Sequence, residues 1–82
     1  MSTLQREHWT GPAFLDNAWM MTKRRHVATC ELFSHQLGWE LRLTIGELVR
    51  TQVCRSTEEV MRVQEEWQRA LEERGYAAAS AT

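Results

Sequence analysis

The side chains with which this chain could do chemistry are two cysteines, three histidines and an uneven set of charges. A thiolate beside an imidazole can act as a nucleophile or begin a zinc site, and the pair best placed for either is Cys54 with His35. Two ligands are half of a structural zinc set, however, and no CxxC or HxxxH spacing accompanies them. A Cys-His nucleophile also needs a third group to orient the base, and none is identifiable. No metal or cofactor is expected. His26 precedes Cys30 by four residues, which in a strand places both on one face but about 13 Å apart. They are not partners. The glutamates between positions 58 and 73 alternate with arginines at helical spacing, the pattern of a solvated helix surface rather than of paired catalytic carboxylates. The expectation is a non-catalytic protein, with Cys54/His35 chemistry as the enzymatic alternative.

Binding chemistry is the other prospect. Lys23, Arg24, Arg25 and His26 form a basic cluster, and Arg42 and Arg50 add cations, with Phe33 available for stacking. Together they could touch single-stranded nucleic acid. Glu31 and Glu40 interrupt the stripe, and the net charge of −1 is not the basic balance of a dedicated nucleic-acid binder. The aromatic excess points elsewhere. Four tryptophans are many for 82 residues, and each can bury about 150–250 Å². Trp9, Phe14, Trp19 and Met20 exceed what a small core needs, and such residues are enriched at interfaces. They are the expected partner-binding residues, in a homo-oligomer with a dimer favoured, or against another protein.

These residues must be positioned by one small domain. A chain of 82 residues buries only about 60–65% of the surface it exposes when unfolded. Its composition, 43% hydrophobic and 26% charged, is ordinary for a globular fold. No apolar run reaches the roughly 18–20 residues of a membrane span, and the first residues lack a signal-peptide profile. A cytoplasmic protein with reduced thiols and no membrane contact is expected.

Residues 1–22 are read as an N-terminal arm. Within it Pro12 can open a short helix, with Phe14, Ala18 and Met21 at spacings of three and four. A short strand, or an arm ordered by a partner, is the alternative. Residues 23–76 form the core domain. "TKRRH" serves as a solvated connector, and alternation then marks strands: Ala28, Cys30 and Leu32 oppose Thr29, Glu31 and Phe33, while Trp39, Leu41, Leu43 and Ile45 oppose Glu40, Arg42 and Thr44. A turn from His35 to Gly38 pairs Leu32 with Leu41, Cys30 with Leu43 and Glu31 with Arg42. For "LVRTQVC" a three-residue loop, 45–47, is preferred because it sets Leu43 against Val49 and Trp39 against Val53. The two-residue alternative at Gly46 and Glu47 would place Arg50 opposite Leu43, mixing the faces.

Ser56 and Glu59 then make a capping box, and Gly75 can end the helix in the left-handed region. Val60, Val63, Trp67, Ala70 and Leu71 form its inward stripe, with Trp67 meeting Trp39. On the outer side Glu58 with Arg62, Glu65 with Arg69 and Arg69 with Glu73 sit four apart. Residues 77–82 are read as a disordered tail. The predicted class is α+β: a three-stranded antiparallel meander packed on one C-terminal helix, with a short N-terminal helix or arm, in α-β-β-β-α order.

At "CELFSHQLGWELRL" and "QVCRSTEEV" the chain resembles small uncharacterised bacterial proteins sharing a Cys-Glu strand, a Leu-Gly-Trp-Glu turn and a Cys-Arg-Ser-x-Glu-Glu junction. The resemblance covers about residues 24–76 and implies no activity. In topology alone the α-β-β-β-α order is similar to the double-stranded-RNA-binding domain. That family holds phosphates with a lysine-rich start to its last helix and uses a histidine in the first strand loop. Here His35 occupies that loop, while the helix begins Ser56, Thr57, Glu58, Glu59.

Overall fold

The structure is a computed structural model and describes residues 11–79. Four strands run as an antiparallel meander: β1 (Phe14–Lys23), β2 (His26–His35), β3 (Gly38–Ile45) and β4 (Leu48–Cys54). Helix α1 (Thr57–Glu73) follows, and a short β5 (Ala77–Ala78) adds to the far edge. The sheet order is β4-β3-β2-β1-β5. The class is α+β, and among the described residues no helix is long and apolar enough to cross a membrane.

The stretch expected as a helix or arm is a ten-residue strand of the sheet. Its helix-like spacing of Phe14, Ala18 and Met21 arises from two register shifts against β2, between Phe14 and Asp16 and between Asn17 and Trp19. Each places an extra residue in β1 and breaks the period of two. The expected connector is a tight hairpin pairing Lys23 with His26. Its first turn residue, Arg24, takes φ 57°, uncommon for a side chain of this size. Nor is the expected tail free, because Ala77 pairs with Thr22 and Ala78 with Met21. The resulting order is therefore β-β-β-β-α, closed by β5.

The β2–β3 register is the one expected, with Cys30 opposite Leu43, Glu31 opposite Arg42 and Leu32 opposite Leu41. Gly38 is required there: at φ 142° an added Cβ would lie 2.5 Å from the Cys54 carbonyl oxygen. The β3–β4 register is the rejected one. A two-residue turn at Gly46 and Glu47 sets Leu43 against Arg50, Leu41 against Gln52 and Trp39 against Cys54. Gly46 supplies φ 60° for this turn. The mixing of faces is tolerated because β4 lies at the sheet edge, where Arg50 can reach over the Trp67 ring at 5.7 Å.

α1 covers one face. Its Val60, Val63, Trp67 and Leu71 close over Met21, Ala28, Cys30, Leu41, Leu43 and Cys54, all buried. Ala70, expected in the inward stripe, is exposed. Trp39 packs at the core margin beside Cys54, next to the helix start. Trp67 lies ten residues further along, about 15 Å of helix away, so the two indoles sit at different levels of the core.

The Ser56 hydroxyl accepts from the Glu59 amide at 3.1 Å. The Glu59 carboxylate accepts from the Arg55 amide at 2.9 Å, one residue before the cap that it was expected to reach. At the other end the Gly75 amide donates to Glu72 and the Tyr76 amide to Leu71, each at 3.0 Å. This double closure turns the chain back toward β1. On the outer side Arg62 pairs with Glu66 at 3.0 Å and with Glu59 at 3.8 Å, in place of the expected Glu58.

Candidate interaction surfaces

Among the described residues the sheet's second face has no helix over it. Pairing puts Phe14, Met20, Val27, Thr29, Glu31, Phe33, Glu40, Arg42, Val49, Thr51 and Val53 on this side. Several are large, apolar and exposed: Phe14, Met20, Val27, Val49 and Val53. Singly exposed apolar residues are normal at a protein surface, but a set sharing one sheet face is what contact surfaces display.

Part of this face is organised. The Phe14 and Phe33 rings meet edge to face with centroids 5.7 Å apart. The Arg42 guanidinium lies 4.1 Å above the Phe33 ring and donates from Nη2 to Glu40 Oε2 at 3.1 Å. The chain Phe14, Phe33, Arg42, Glu40 spans β1 to β3 and keeps Glu40 nearly buried although no helix covers it. Arg42 faces Glu31 in the register, yet its hydrogen bond goes to Glu40.

The sheet's two edges differ. On the β1 side the edge is bulged, and near its end it is covered by β5, with the Ala79 amide donating to the Met20 carbonyl at 3.0 Å. On the β4 side there are seven residues in unbroken register with β3 and no strand beyond them among the described residues. Leu48, Val49 and Val53 are exposed there. An unblunted edge offers free backbone donors and acceptors to another strand.

The residues expected at a partner surface separate. Trp9 lies outside the described residues. Phe14 and Met20 lie on the open face, whereas Trp19 turns to the helix side and packs against the core. Its indole Nε1 is buried with no acceptor among the described residues. The six residues considered for nucleic acid also divide. Lys23, Arg24 and Arg25 are at the β1–β2 hairpin, Phe33 and Arg42 are in the open-face stack, and Arg50 is on the helix side, not on the polar face. The Lys23 side chain runs beside Gly75, where an added Cβ would meet Cε at 3.2 Å. Its charge therefore lies near the negative end of the helix dipole.

The thiols are both buried and free. Burial, then Glu31 and then Cys54, push the Cys30 thiol up to about 12. Burial and the nearby Glu59 also raise Cys54, against a smaller opposing pull from Arg62. A raised thiol holds its proton at neutral pH, opposite to what an attacking thiolate requires. His35 Nδ1 accepts from the Leu37 amide at 3.0 Å, which fixes the turn. No known protein family, curated protein or solved structure matches this chain.

Proposed function

We propose that this chain is a small interaction module of the cytoplasm, without catalysis of its own, that assembles with a second copy of itself through β4. The observation that carries the reading is the contrast between the blunted β1 edge and the open, regular β4 edge. Antiparallel pairing of two β4 strands about Thr51 would be self-complementary. Val49 would face the partner's Val53, Thr51 would face its own copy, and Arg50 would face the partner's Gln52. No like charges would oppose, and the β-branched residues would form one stripe continuous with the open face.

Light scattering on the full chain tests this. A mass twice the 9.6 kDa of one chain is expected. Thr51→Lys, which would set two ammonium groups opposite each other on the symmetry axis, should give a monomer with an unchanged circular dichroism spectrum. A wild-type monomer at the highest attainable concentration overturns the reading. Loss of assembly on deleting residues 1–10 would shift the contact to the segment holding Trp9. The nucleic-acid reading draws less support, since its six residues do not share one surface. It requires a salt-sensitive gel shift.

A further inference from the structure

Between the C-terminal half of α1 and the β3–β4 hairpin lies a groove of about 210 Å³. Leu43, Ile45, Leu48, Trp67, Ala70 and Leu71 supply its apolar walls, and among the described residues the charged ones lining it are Arg50 and Arg74. Ala70, one turn beyond Trp67 on the helix, is too small to fill the space between the two walls. Arg50 is held over the Trp67 ring at 5.7 Å. The ion pairs of the described residues engage Arg42 and Arg62, so neither groove arginine has a carboxylate partner among them. Two unneutralised guanidinium groups beside an apolar recess, in a chain whose net charge is −1, make a locally cationic and oily pocket.

We propose that this groove binds a small organic carboxylate with an apolar body about the size of a substituted benzene ring. An apolar cavity of roughly 150 Å³ accommodates benzene, so this space admits a ring with a short side arm. The body would lie against Trp67, Leu43 and Leu71, and the carboxylate would accept hydrogen bonds from Arg50 and Arg74. Arginine suits this role because its planar fork matches a carboxylate and because it can stack on an indole at the same time. An aliphatic acid of similar volume shares this chemistry. A neutral analogue of the same shape would retain the apolar contacts and lose the charge-assisted ones.

The experiment uses the full chain titrated with 3-phenylpropionate and, separately, with its amide, following tryptophan fluorescence and the indole N–H resonances. Saturable binding of the acid is expected, with the Trp67 resonance moving most and the amide binding about tenfold more weakly. The Arg50→Gln/Arg74→Gln variant should bind both compounds equally. Octanoate against octanamide gives the aliphatic arm of the same comparison. No saturation by either acid, equal binding of acid and amide to the wild-type chain, or a response centred away from Trp67 overturns the proposal. The acid-to-amide comparison needs no variant, so it decides the matter even if the double substitution fails to fold.

Discussion

The same four strands present two faces with opposite fates. Under α1, Ala28, Cys30 and Leu41 are wholly buried, while across the sheet Phe14 and Val49 are about half exposed, at 52% and 55%. β-branched and aromatic side chains occur on both sides, so hydrophobicity does not separate them. Helix coverage does. The comparison shows that in a sheet with one helix, apolar residues on the uncovered side contribute to folding mainly through neighbours along the sheet, and are left available for contacts with other molecules.

The sharpest break of this comparison is a matched pair of truncations. Leu41→Ala should cost about 2–5 kcal/mol in urea unfolding, because it opens a cavity in a fully buried site. Val49→Ala, measured where the chain is monomeric, should change stability by about 0.5 kcal/mol or less. Comparable losses at the two positions would show that the open face is covered.

A second test sharpens the buried side. The folded Cys30 thiol is raised to about 12 from an ordinary 9.0. The unfolded chain therefore gives up this proton at lower pH than the folded one. Its contribution to stability is complete below pH 9.0 and is lost as pH rises toward about 12. Unfolding midpoints measured across that window should fall more steeply for the wild type than for Cys30→Ala. Equal slopes would place the thiol in contact with water. The smallest effect concerns the helix that creates the difference between the faces. Ser56→Ala removes the acceptor for the Glu59 amide and should cost about 1 kcal/mol, read from the shift in unfolding midpoint.

How far these features were legible in the sequence depends on how strictly a segment obeyed one period. β2 and β3 alternate cleanly, and their register was readable pair by pair. Ser56 and Gly75 marked the two ends of α1 through their chemistry. β1 was hidden because its bulges imitate helical spacing and because its hairpin uses Arg24 and Arg25 rather than glycine or asparagine. The β4 register departs from the expected one because the demand that a strand sort its two faces weakens at an edge. β5 has only two alanines and no pattern to read. Of the residues expected at a partner surface, Phe14 and Met20 are exposed while Trp19 packs against the core, a difference that depends on the bulge and has no mark in the sequence. The groove has no counterpart in the expected β4 register, which turns Arg50 to the other side of the sheet. The signal that could have found it is Ala70, a small residue in a stripe of large ones.

The pairing of β5 with Met21 and Thr22 also settles where the two ends of the described chain emerge. Ala79 bonds to Met20 and so lies part-way along β1, heading away from the Lys23–His26 hairpin, whereas Ala13, bonded to Ser34, sits by the opposite hairpin at the start of β1. Met20, to which Ala79 bonds, and Ala13 are seven positions apart, so about 23 Å of strand separates the two points. Fluorophores placed at Ala13 and Ala79 would therefore mark the start and the middle of the β1 edge, a ruler for whichever edge a second copy takes.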